Sequence, residues 1–249
     1  MGSIEIAEVS EYVKENIGSF HKARLERIKT LKLNTILRRK NPYLFKAKNI
    51  LLAQDLVRIL LDAYLSSQEE AIFGGFLEGL AIFINKKVYG GWKSSAQGID
   101  LEFDKDGTRF IIAIKSGPNW GNSSQIRKMK DDFRKAQKTL RTSNSNLHIV
   151  AVNGCCYGRD SKPDKGDYFK YCGQTFWEFI SGNPNLYLKI IEPLGYSAKQ
   201  RNSEFYKEYA QIVNKFTSEF SDKFVINGAI NWDALVQFNS SKPETKVKG

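Results

Sequence analysis

Two apolar segments, "GIDLEF" and "TRFIIAIK", flank the tetrapeptide "DKDG" between residues 98 and 115, and this arrangement limits the possible folds more than any other stretch. Asp-Gly between β-prone runs selects a tight turn, so the two segments are expected as an antiparallel hairpin. Side chains alternate along a strand, which puts Arg109, Ile111, Ala113 and Lys115 on one side and Phe110, Ile112 and Ile114 on the other. The second strand therefore ends in a charge that shares its face with a small residue. Asp100, at the head of the first strand, is expected to bring a carboxylate to the same spot.

Around the hairpin the periodicity is mostly helical. Residues 5–37 and "KAKNILLAQDLVRILLDAYL" (46–65) have apolar positions at helical spacing, with a break at "RRKNPYLF", where Asn-Pro ends the first helix. A further helix is expected over "SSQEEAIFGGFLEGLAIFINKK", with Ser66 or Ser67 as N-cap and acids in its first turn. After the hairpin come a polar loop, a basic helix over 123–142, a buried strand over 147–153, a polar excursion "YGRDSKPDKGDYFKYCG", a short helix "TFWEFISG" ended by Gly182, and an amphipathic helix over 201–220. The tail "SSKPETKVKG" is polar and expected to fray. This order predicts an α/β fold with helical N- and C-terminal extensions: 1–65 helical, 66–195 a core, and 196–249 a C-terminal extension.

Charge narrows the function. The 249-residue chain carries 38 Lys and Arg against 27 Asp and Glu, a formal charge of +11, and a surface of that sign draws polyanions. Nucleic acid is the first partner to expect. No apolar run approaches the roughly 18 residues of a membrane span, and no signal-peptide pattern opens the chain, so a cytoplasmic location is expected. The three cysteines, Cys155, Cys156 and Cys172, form neither a disulfide framework nor a zinc pattern and read as buried packing. With only His21 and His148 available, histidine-centred catalysis is poorly supplied; His148, inside "LHIVAVNG", reads as a structural residue.

An acid opening one strand, then an acid and a lysine two residues apart on its partner, is a pattern that can hold a hard divalent cation and a water nucleophile against a phosphodiester. The carboxylates bind the ion, and the lysine orients the nucleophile or offsets developing charge. Here "GID", twelve intervening residues and "AIK" supply the outer members, Asp100 and Lys115, and Ala113 stands where the middle acid belongs. That pattern resembles the motif of PD-(D/E)XK nucleases. The runs "KNPYLFKAKN", "EEAIFGGFLEGLAIF", "KSGPNWGNSSQ" and "VNGCCYG" add a further resemblance, to type II restriction endonucleases, that extends from about residue 40 to 180.

The resemblance implies a mixed central sheet flanked by helices and a homodimer that binds a short double-stranded DNA site and cuts both strands with Mg²⁺. It implies Asp100 and position 113 as metal ligands, the Ile114 carbonyl as a further one, and Lys115 as the residue that positions the nucleophile. It also implies a supporting acid on the preceding helix, Glu78, with Glu70 eight residues earlier as the alternative. Ala113 departs from the pattern. Either the acid has degenerated or migrated naturally, or it was deliberately replaced to trap uncleaved DNA, and the intact surroundings favour the second. In both cases little cleavage is expected of the chain as it stands, and a naturally non-cleaving DNA-binding protein or a repair or junction-resolving nuclease are the rival readings.

The loop after Lys115 supplies Asn119, Trp120, Asn122, Ser123 and Gln125. Amides can pair with adenine edges, a hydroxyl can bond phosphate and an indole can stack; alternatively the loop is a turn with Ser123 or Ser124 capping the next helix. Lys128 on that helix, Arg159 in the polar excursion, and Arg38 and Arg39 beside the N-terminal helix, which itself carries Arg24, Arg27 and Lys29, are the expected contacts to the duplex.

Overall fold

The computed structural model describes residues 2–143 and 146–242. Five strands form one sheet in the order β1 (Trp92–Lys93), β2 (Leu101–Lys105), β3 (Thr108–Lys115), β4 (His148–Cys155) and β5 (Phe169–Cys172). The expected hairpin is β2–β3, paired antiparallel with Leu101 opposite Ile112. Asp106 and Gly107 make its turn, with φ of 51° and 73°. Positive φ at both central residues matches the turn to the right-handed twist of the strands. β3, β4 and β5 run parallel, with Ala113 opposite Asn153 and Cys155 opposite Cys172. Parallel neighbours need a long crossover, and α5 (Ser123–Ser143) supplies it between β3 and β4.

The helices before the sheet are α1 (Ile6–Lys29), α2 (Leu33–Arg39), α3 (Pro42–Ala47) and α4 (Ala53–Tyr89). Those after it are α6 (Gln174–Ser181), α7 (Leu186–Lys189), α8 (Ile191–Leu194), α9 (Ala198–Phe224) and α10 (Trp232–Ser240), with a small hairpin of β6 (Val225–Ile226) and β7 (Ala229–Ile230) between the last two. The chain divides into two compact units: Met1–Phe20 with Glu70–Ala198, which holds the five-stranded sheet, and His21–Glu69 with Lys199–Gly249, whose described residues are helical apart from the β6–β7 hairpin.

In the sheet unit the alternation of β3 sorts two cores. Ile112 and Ile114 join Leu101, Phe103 and Val152 against Leu80 and Ile84 of α4 and Phe176 and Ile180 of α6. Ile111 and Ala113 join Ile149 and Ala151 against Met129, Phe133 and Ala136 of α5. Helices thus cover both faces, as parallel strands require. Gly79 lets α1 approach α4, since a Cβ there would stand 2.7 Å from the Tyr12 hydroxyl. The helical unit has its own core, in which Leu56, Leu61, Phe216 and Phe220 are almost fully buried.

Several local expectations are corrected. Ser66 and Ser67 do not start a helix: α4 runs unbroken through them, and the Ser67 hydroxyl donates to the Ala63 carbonyl one turn back. Apolar spacing continues on both sides of the pair, so burial overrides the cap signal. Asn41-Pro42 opens a helix, with Asn41 Oδ1 accepting from the Tyr43 and Leu44 N–H groups and Pro42 in the first turn. His148 is exposed at the head of β4, its Nδ1 3.1 Å from the Thr108 hydroxyl. The polar excursion contains the strand β5. Of the tail, residues 243–249 lie outside the described residues. All three cysteines are buried and free, and among the described residues no helix is long and apolar enough to cross a membrane.

Candidate active site and nucleic-acid interface

Asp100 lies one residue before β2, and the β2–β3 register extended by one pair sets it across from Ala113. Its N–H donates to the Ile112 carbonyl at 2.8 Å, and its Oδ2 accepts the Ile114 N–H at 2.7 Å. Lys115 Nζ stands 3.8 Å from the same oxygen. Burial holds the Asp100 carboxyl above the usual carboxylate range, against the pull of the Ile114 N–H and the Lys115 charge. The structure therefore brings Asp100, Ile114 and Lys115 together at the C-terminal end of β3. Ala113 is fully buried, with its methyl in the core shared with α5.

Glu78 comes to this corner from α4. Burial, and then the neighbouring Asp100 charge, raise its pKa, while Lys93 and Lys115 oppose the shift. Lys93 Nζ is 3.6 Å from Glu78 Oε1. Lys93 was not anticipated: it lies in "GGWKSS", on a two-residue strand too short to show a period. Glu78 also adds to burial in pushing the Cys156 thiol up to about 12, so this cysteine stays protonated and unreactive at neutral pH.

Carboxylate oxygens at Asp100 and Glu78 are the donors a hard divalent cation takes. In number they fall short. Among the described residues no group of three or more His, Cys, Asp or Glu is placed to hold a metal ion, and both carboxylates already face lysines. The corner as it stands does not complete a metal site.

The loop after Lys115 is fastened inward. The Trp120 indole N–H donates to Asn153 Oδ1 at 3.1 Å, and Asn153 Nδ2 donates to the Ala113 carbonyl at 3.1 Å. Asn153 is only 1% exposed, a buried amide with a partner at each end. Sequence reasoning missed it, although a polar residue inside "VAVNGC" was visible. Lys115 Nζ lies 5.4 Å from the centre of the Trp120 ring. Lys170 of β5 donates to the Pro118 carbonyl at 2.9 Å. A Cβ on Gly117 would collide with the Tyr157 ring, and one on Gly158 with Pro118, so the loops after β3 and β4 interlock.

Asn119 is exposed beside this anchored stretch. Neither Ser123 nor Ser124 caps α5. Asn122 does, its Oδ1 accepting from the Ser124 and Gln125 N–H groups while Gln125 Oε1 accepts the Asn122 N–H, a reciprocal box in which each side chain satisfies the other's backbone. Ser123 is exposed at the first position of α5. Lys128 pairs with Asp132 at 2.7 Å. Arg159, exposed, lines a cavity of about 700 Å³ with Phe73, Tyr157, Trp177 and Tyr187. In the helical unit Arg38 and Arg39 are exposed at the end of α2, Arg38 over the Phe238 ring at 5.3 Å. Arg24 there turns inward, bonded to Glu69 and Asn202 and 3.5 Å from the centre of the Phe205 ring.

A five-stranded mixed sheet flanked by helices is the fold class of restriction-endonuclease-like proteins. Residues 7–202 match the family model described as type II restriction endonuclease EcoO109I, and the chain belongs to that family. Among curated proteins, no sequence matches the chain. Family membership makes it a DNA-binding protein of the nuclease class, whose members generally use divalent metal ions.

Proposed function

We propose that this chain binds a short, specific double-stranded DNA site as a homodimer, and that with a carboxylate at position 113 it hydrolyses phosphodiester bonds using Mg²⁺. The observation that carries the reading is the convergence of Asp100 and Lys115, 3.8 Å apart at the end of β3, in a chain of this family. Asp100 is the ligand retained, the Ile114 carbonyl and Glu78 support it, and Lys115 positions the nucleophile. Residues 66–195 form the nuclease core, with 1–65 as clamp and 196–249 as extension. Asn119, Trp120, Asn122, Ser123, Gln125, Lys128 and Arg159 are the contacts proposed within the core, and Arg38 and Arg39 those on the phosphate backbone. With Ala113 in place the chain binds and cleaves little or not at all, because base and phosphate contacts rest on other residues.

Ala113→Glu and Ala113→Asp test this directly, the shorter acid covering the case in which the core shared with α5 leaves too little room. Restored Mg²⁺-dependent cutting of a plasmid at one repeated sequence, read by sequencing the ends, supports the reading. The fully buried Ala113 methyl favours a second one, a DNA-binding protein that has settled without cleavage. Tight site-specific binding with both acids inert supports that alternative, and cutting governed by branched structure instead of sequence would indicate a junction-resolving enzyme.

A further inference from the structure

Lys93 has no role in the reading above, yet it stands at the centre of it. Two carboxylates and two ammonium groups meet at the head of the β2–β3 hairpin: Lys115 faces Asp100 at 3.8 Å and Lys93 faces Glu78 at 3.6 Å. The pairs are not independent, since Asp100 acts on Glu78 and each lysine acts on both acids. Their formal charges cancel.

We infer that Lys93 is a built-in counter-cation which, together with Lys115, allows this chain to dock DNA without a divalent ion. The inference rests on the proposed DNA-binding function. A third carboxylate at position 113 would leave the corner net negative and repel a phosphate until a cation arrived. With alanine there the two lysines suffice. Lys93 is suited to the part because its side chain is 71% exposed, against 30% for Lys115. An ion pair that open contributes little to folding, so exchanging Glu78 for a phosphate oxygen costs the fold little. Its four-carbon stem on the edge strand gives the ammonium freedom to swing, whereas Lys115 is held over Trp120.

The test uses fluorescence anisotropy with a labelled duplex, selected from a randomised library by the unmodified chain in Ca²⁺. The unmodified chain is expected to bind with the same Kd, within about twofold, in EDTA and in Ca²⁺. Lys93→Gln is expected to weaken binding in EDTA by roughly tenfold and, because it releases the Glu78 carboxylate to share a cation with Asp100 and a DNA phosphate, to recover most of it in Ca²⁺, with an unchanged Tm. Ala113→Glu with Lys93 intact is expected to become Ca²⁺-dependent. An unmodified chain that binds the duplex only in Ca²⁺ overturns the inference while leaving the DNA-binding function standing. A Lys93→Gln loss equal in both media also overturns it, since that is the signature of an ordinary phosphate contact. Failure to bind any duplex in either medium overturns the proposed function as well, which separates the two failures.

Discussion

The β2–β3 hairpin carries a cluster of charges at each end, and the two are built differently. Near its turn, Arg109 Nη2 donates to Asp104 Oδ2 at 2.8 Å, Nη1 lies 3.4 Å from Glu102 Oε2, and the guanidinium stacks over Trp92 at 4.8 Å. The Ser94 hydroxyl donates to the remaining Glu102 oxygen at 2.6 Å. The hydrogen bond that Arg109 donates to Asp104 leads the interactions that raise the arginine pKa further. At the other end, Asp100, Glu78, Lys93 and Lys115 stand 3.6–3.8 Å apart in pairs, and burial pushes both acids towards the neutral form. One cluster satisfies its charges; the other leaves them under tension. Perturbed acids of that kind gather at functional sites, so under the proposed function the contrast separates a staple from a site on one pair of strands.

Arg109→Ala should give the largest effect. It leaves Glu102, 6% exposed, buried without its cation, and the expected loss is about 3 kcal/mol, or roughly 6–10 °C in Tm. Asp104 adds little to that figure because its side chain is 56% exposed. A loss under about 1 kcal/mol by urea denaturation would erase the distinction between the two ends.

Asn153→Ala comes next, at about 2 kcal/mol, because it strands the Trp120 indole N–H. Trp120→Phe removes the same hydrogen bond from the other side, so the double variant should lose clearly less than the sum of the singles. Simple additivity in that cycle would detach the loop from the strand.

Glu78→Gln should give the smallest effect, and one of opposite sign: a gain of about 1–2 °C in Tm at neutral pH. The folded-state pKa of Glu78 is raised, so the native protein loses stability relative to the unfolded chain as pH rises from the ordinary carboxylate range through the raised value. Glutamine does not titrate. The gain should therefore vanish in scans below the ordinary range, where Glu78 is protonated in both states, and a gain that persists there would assign it to packing.

How far such features can be read from sequence depends on their range along the chain. The hairpin, the two faces of β3 and the approach of Asp100 to Lys115 follow from a turn signal and a period of two, both local, and they are legible. The start of α4 is misread because Ser66-Ser67 imitates a cap, and only the buried surface on both sides decides against it. β5 hides in a polar run because its Lys170 serves a loop carbonyl 52 positions away. Lys93 and Asn153 escape for the same reason. Each acts on a residue of a different element, Lys93 on Glu78 and Asn153 on Trp120, and no local pattern records such a meeting.

Under the proposed function, the interlock of Gly117 with Tyr157, and of Gly158 with Pro118, bears on any attempt to retarget this protein to another DNA sequence. A side chain at either glycine would run into the other loop, so grafting residues 116–122 alone onto the scaffold should jam against an unmatched neighbour. A successful transplant would carry the 157–173 stretch along with it, and the unit to exchange in a chimera is the pair.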